Sequence, residues 1–283
     1  TFNSAVDVTA NDYLSSSGWG GAAYTGPRVA APFAILDSVY DSFQEVLSID
    51  ANAVFPALNI NWSTLNALVT GDKTIGEIGT SHYDPATGEI YILGDEGSDT
   101  DEYDKHVIIH EWAHYFEDKL SRTDSIGGAH SAGDILDMRL AFGEGFGNAY
   151  SGIVSNDPIY RDSSGAGQLS GFDFDMDTDV CANPGWYSEC SVHNLLYDFS
   201  VAPFSDDFTP LYKVLVNEQK NTNAFTSIFS FVWELKGNNA AEAGAIDTLV
   251  SAQSIDVITD IYGDSEAINN PGTTDQLPIY EQF

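Results

Sequence analysis

The chain has 283 residues, with 43% hydrophobic and 12% aromatic side chains, so it can bury a sizeable core and is not a disordered acidic tail. Its 43 Asp and Glu against 10 Lys and Arg leave a formal charge of −33, which excludes nucleic acid and anionic membranes as partners, because both need a basic patch. No apolar run reaches the roughly 18 residues of a spanning helix, so membrane insertion is excluded as well.

Residues 1–30 are rich in Gly, Ser, Ala and Tyr without a period, and read as an irregular arm. From Ala30 to Leu47, apolar residues recur at helical spacing around Pro32. Val54 to Trp62 alternates like a strand. Ile75 to Gly94 reads as a hairpin made of Ile78–Tyr83, a turn at Asp84-Pro85-Ala86-Thr87-Gly88, and the strand Glu89–Leu93. Helices are predicted over Tyr103–Leu120 and Ile135–Ser155. The Gly/Ser-rich stretch Ser163–Gly171 predicts a hinge, which divides the chain into a sheet-containing lobe, 1–162, and a mainly helical lobe, 163–283.

Asp173, Asp175, Asp177 and Asp179 alternate with other residues, as in a strand with one wet acidic face. Calcium is a second candidate cofactor by ligand type, here and in the carboxylate-rich segment Asp95–Asp104. Cys181 and Cys190 flank an Asn-Pro-Gly turn that can bring their sulfurs together, and a disulfide there implies an oxidising, extracytoplasmic compartment. Further helices are predicted over Val192–Phe199, Pro210–Glu218, Phe225–Leu235 and Ala240–Ala252. Strands first and helices later predict an α+β fold, read as a monomer.

The chemistry concentrates in His110-Glu111-Trp112-Ala113-His114. Residues four apart on a helix share a face, so both imidazoles reach one metal ion, and Glu111 lies beside it to take a proton from a water. With six His and fourteen Glu in the chain, this pattern arises by chance about 0.006 times. Zinc needs a third protein ligand. A histidine on the same element is excluded, because the positions that would continue the motif hold Glu117 and Leu120. His106 lies two turns from His114, roughly 12 Å along the axis, too far to share an ion with it. Glu144 is a lone carboxylate in the small and apolar stretch Leu140-Ala141-Phe142-Gly143-Glu144-Gly145-Phe146-Gly147-Asn148, where an unpaired charge is costly. Glycines there let a second helix approach the first. Asp134 and Asp137 compete for the third ligand position, although carboxylates near a helix start commonly serve as caps.

The segment Asp104–Ser155, with this motif and the later Gly-Glu-Gly-Phe-Gly, resembles the gluzincin zinc metallopeptidases, thermolysin-like and fungalysin-like enzymes in particular. The resemblance covers about a third of the chain. It implies a bilobal zincin-type fold, His110, His114 and Glu144 as zinc ligands, Glu111 as general base, and Glu89–Leu93 as an edge strand along the cleft. Where such enzymes carry an Asp four residues after the glutamate ligand, this chain has Asn148, which accepts an imidazole N–H but brings no charge. A downstream His or Tyr commonly stabilises the oxyanion in the family. Here the candidates are His193 and Tyr197, with Tyr187 and Tyr150 as alternatives. The expected activity is hydrolysis of a peptide or protein substrate by a secreted enzyme. Its rivals are a zinc hydrolase acting on a non-peptide amide or a glycoprotein, and a zinc-stabilised binding domain without turnover.

Overall fold

The structure, a computed structural model, describes residues 16–266 and is α+β. Residues 1–15 of the expected irregular arm lie outside this range. The rest of the arm holds one isolated bridge, Trp19 to Tyr24, and ends at Arg28, which is buried against Glu102.

Helix α1 spans Ala31–Ile49 with Pro32 in its first turn, where a missing N–H costs nothing, and buries Ile35, Val39 and Val46. A three-stranded sheet follows, made of β1 (Asn59–Trp62), β2 (His82–Asp84) and β3 (Glu89–Ile92). The expected strand Val54–Trp62 keeps only its second half. Pro56 cannot donate to a ladder, and its carbonyl instead accepts the Tyr115 hydroxyl at 2.5 Å. The expected strand Ile78–Tyr83 is also cut short. Gly79 has φ +84°, and the Ser81 hydroxyl turns away to accept from the Leu93 N–H and donate to Asp101. The hairpin itself forms, with Asp84 opposite Glu89 and Gly88 at φ +69° in the turn.

One expectation is overturned. β3 is the central strand, antiparallel to β2 and parallel to β1, so Glu89–Leu93 is not an edge. Its backbone is taken on both sides, and β2 is an outer strand.

After the short pair β4 (Gly94–Asp95) and β5 (Asp99–Thr100), helix α2 runs over Lys105–Lys119 and α3 over Met138–Ser155. α3 begins three residues later than expected because Asp137 caps it, accepting the Arg139 N–H at 2.9 Å. The expected hinge Ser163–Gly171 instead forms the closed end of a hairpin, β6 (Ile159–Ser164) and β7 (Ser170–Asp175), so the division at 162/163 falls inside a strand. Gly165 and Gly167, at φ +78° and +65°, make the turn that stands in place of the hinge. β7 stops at Asp175. Beyond it the acidic alternation is not a strand, since Asp175 and Asp179 carboxylates accept backbone N–H groups of a turn.

Helices α4 (Glu189–Val201), α5 (Thr209–Lys213, continued by a π-helical stretch to Gln219), α6 (Ile228–Asn238) and α7 (Ala243–Ala252) complete the fold. α6 starts at Ile228 because Ser227 and Ser230 form a reciprocal capping box. A Cys181–Cys190 disulfide closes the loop before α4, which fits an oxidising compartment. Among the described residues, no helix is long and apolar enough to cross a membrane.

One hydrophobic cluster reaches from Ile35 in α1 to Ile258 after α7 and joins both halves of the chain. Its centre is the α2–α3 contact, where Trp112 and Phe116 stack on Tyr150 at 5.5 and 6.2 Å between ring centroids. Close approach depends on the α3 glycines. A Cβ at Gly145 would lie 2.6 Å from the Val192 side chain on α4, so α3 is pressed between α2 and α4.

Candidate metal centre

α2 is buried on nearly every side, so each polar group on it needs a partner. His106 faces Ser151 Oγ at 3.0 Å, and burial drives its pKa down to about 4. It is thus a buried neighbour of the site. One turn on, His110 and His114 stand on the same face, with Nε2 atoms 3.0 Å apart. Glu144 reaches them from α3. Its Oε2 lies 3.2 Å from His110 Nε2 and 3.5 Å from His114 Nε2. These three side chains can hold a metal ion. Asp134 and Asp137 point elsewhere: Asp134 accepts the Ser131 N–H, while Asp137 caps α3 and pairs with Arg139.

The electrostatics of the triangle favour positive charge. Burial alone would raise the Glu144 carboxyl, yet the His114 and His110 imidazoles hold it far below the usual carboxylate range. Burial likewise opposes charge on both imidazoles, and the carboxylate outweighs it, raising both.

Supporting groups fix the donors. His110 Nδ1 lies 2.8 Å from Asn148 Oδ1, which accepts its N–H and leaves the Nε2 lone pair directed at the centre. Asn148 Nδ2 in turn donates to Glu189 Oε1 at 2.6 Å. The carboxyl group missing at Asn148 is therefore present one hydrogen bond further out. Sequence reasoning missed Glu189, and no local spacing points to it, since it lies 41 residues on, in the first turn of α4. Behind His114 sits Glu117, fully buried, with Oε2 3.5 Å from His114 Nδ1. The motif residue Glu111 accepts the Tyr83 backbone N–H at 2.8 Å, so the outer side of β2 faces this carboxylate.

The two expected oxyanion donors have different settings. His193 is 4% exposed, stacks on Phe174, lies 3.4 Å from Asn148 Nδ2, and is driven to a pKa of about 3 by burial. It belongs to the layer behind His110. Tyr197 packs beside Gly152, eight residues along α3 from Glu144 and so about 12 Å away along the axis. Tyr187 donates to the Pro184 carbonyl and Tyr150 to the Ser42 carbonyl. Two residues not foreseen border the triangle instead. His130 Nε2, in the loop before α3, lies 3.4 Å from Glu144 Oε2 and 3.7 Å from Glu189 Oε2. The Tyr160 ring on β6 is centred 6.3 Å from His110, and burial with nearby carboxylates keeps its hydroxyl protonated.

Gly147 is where close helix packing meets the chemistry. A Cβ there would lie 2.7 Å from His110 Nδ1 and 2.8 Å from its Cε1, and a rigid ring cannot fold out of the way. Gly147→Ala is expected to tilt the imidazole off Asn148 and weaken metal binding at the triangle by roughly tenfold to a hundredfold. Gly143→Ala, whose Cβ would meet Glu117 Oε2 at an ordinary 3.4 Å, serves as the control, and a chelator competition compares the two.

No protein-family model matches the chain, and no curated protein matches it.

Proposed function

We propose that the chain is a secreted, monomeric zinc metallopeptidase of zincin type, with His110, His114 and Glu144 as ligands and Glu111 as general base. The reading rests on the triangle of donor atoms, with edges of 3.0, 3.2 and 3.5 Å. Tetrahedral zinc with ligand bonds of about 2.0–2.1 Å requires donor separations of about 3.3–3.4 Å. Two imidazoles and one carboxylate, three protein ligands rather than four, are the set of a catalytic site rather than a closed structural one.

When bound, zinc supplies a water acidified to a pKa of about 7 and polarises the scissile carbonyl. Glu111, steadied by the Tyr83 N–H, takes the proton from the attacking water and delivers it to the leaving amine. Asn148 and Glu189 keep His110 in the tautomer that presents Nε2. Tyr160, kept protonated, and His130, beside Glu144, are the candidates to donate to the developing charge on the carbonyl oxygen. An extended peptide aligns with β2, the outer strand whose Tyr83 N–H meets Glu111, in place of β3.

Metal analysis and cleavage of an unfolded protein test this reading together. About one zinc per chain is expected, with hydrolysis that disappears in His110→Ala. A chain that takes up no zinc on refolding in its presence overturns the reading. A zinc-loaded chain that cleaves no polypeptide turns it towards a binding domain.

A further inference from the structure

The approach to α2 carries four acidic residues in six, Asp99-Thr100-Asp101-Glu102-Tyr103-Asp104. Two of them are accounted for. Glu102 pairs with Arg28 at 2.7 Å, and Asp104 accepts the backbone N–H and hydroxyl of Ser163. Asp99 and Asp101, 7% and 3% exposed, turn instead towards Asp162 on β6. One carboxylate oxygen from each of the three lies within 4.8 Å of those of the other two. Among the described residues no Lys or Arg forms an ion pair with them, and the adjacent Lys105 and Arg161 pair with Asp41 and Asp157.

Hydrogen bonding accounts for Asp99, whose Oδ1 accepts the Thr100 N–H at 2.9 Å, but not for the other two. Ser81 Oγ donates to Asp101 Oδ2, but Asp101 Oδ1 and Asp162 Oδ1 are buried with no hydrogen-bond partner. Desolvation, together with the neighbouring carboxylates for Asp101 and Asp162, pushes Asp99 and Asp101 up and Asp162 to about 7. Orphan carboxylate oxygens at such a place are costly unless a proton or a cation meets them. The donor set is all oxygen, which suits a hard cation. Calcium binds oxygens at about 2.3–2.6 Å, so two ligands on one ion stand at most about 5 Å apart, in keeping with the spread seen here. Magnesium, with bonds near 2.1 Å, needs a tighter cage and retains more water.

We propose that Asp99, Asp101 and Asp162 form a calcium site, separate from the His110–His114–Glu144 centre, that ties the entry of α2 to the β6–β7 hairpin. Asp101 extends the tie to the sheet through Ser81, whose hydroxyl accepts the Leu93 N–H at 2.9 Å. Asp162 extends it to Tyr160, two residues away on β6. Calcium would therefore stabilise the frame around the metal centre without touching the reacting atoms.

The test uses the zinc-loaded chain, freed of other ions and titrated with calcium by calorimetry and by thermal melting. One calcium per chain and a rise in Tm are expected, with a smaller rise in magnesium. Asp101→Asn and Asp162→Asn should bind calcium at least tenfold more weakly and still hold their zinc. If the variants do not fold, terbium luminescence from the parent replaces them, sensitised by Tyr103 and Tyr160 and quenched as calcium displaces the lanthanide. The site is refuted if the parent shows no calcium heat, no Tm shift and no displaceable terbium emission. It is equally refuted if both Asn variants bind calcium like the parent, or if magnesium stabilises as much as calcium.

Discussion

Glu111→Gln is expected to slow peptide hydrolysis by about 10²- to 10⁴-fold, the usual contribution of a positioned general base, while the chain still holds one zinc. The substitution is nearly isosteric. Its amide oxygen can still accept the Tyr83 N–H that the carboxylate now accepts at 2.8 Å, so β2 and the motif helix keep their contact. What is lost is basicity. An amide cannot take the water's proton, and nothing else on that face of α2 replaces it. Zinc content, thermal stability and turnover of an unfolded protein substrate, measured on the same preparation, separate the possibilities. Unchanged zinc with lost turnover fits the assigned role, whereas turnover within a few-fold of the parent places the base elsewhere.

The motif helix was legible because its chemistry is local. Helical periodicity alone puts His110 and His114 on one face and Glu111 beside them, and the structure has them so. Glu144 was legible for a different reason, as a carboxylate without company on a small-residue helix, and the glycines that signalled close packing meet His110 and Val192. The disulfide could be read from the turn between its cysteines. Long-range partners left no such trace. Glu189 reaches His110 only through Asn148, and His130 arrives on a loop whose sequence has no period. The order of the sheet was hidden for the same reason. β1 pairs in parallel with β3, at a separation of 30 residues in register, and that pairing turns an apparent edge strand into a central one. At Ser163–Gly171, the Gly/Ser composition suggests a hinge, and the structure has the closed end of a hairpin there instead. Composition does not say whether the flanking segments pair, and they do, over six residues each.

Glu144→Ala is expected to weaken zinc binding by more than the roughly hundredfold that loss of a supporting residue can cost. The two imidazoles remain in place, so the loss measures the ligand itself. Removing a carboxylate from a buried site leaves His110 and His114 facing each other at 3.0 Å with nothing to balance the ion's charge. Asp134→Ala should change affinity less than tenfold, because that carboxylate is occupied with the Ser131 N–H. Asp137→Ala should lower stability by about 1 kcal/mol, as loss of an N-cap does, with little effect on zinc. Titration of the three variants against a zinc-competing chelator, with melting curves for the same samples, tells them apart. If Glu144→Ala binds zinc like the parent, the third ligand is another group, and His130, with Nε2 3.4 Å from Glu144 Oε2, becomes the first to test. If instead affinity falls only in Glu144→Ala and stability only in Asp137→Ala, each carboxylate on this stretch has one role, and its neighbours assign it. The carboxylate enclosed by apolar and glycine neighbours binds the ion, and the one at the helix start closes the backbone.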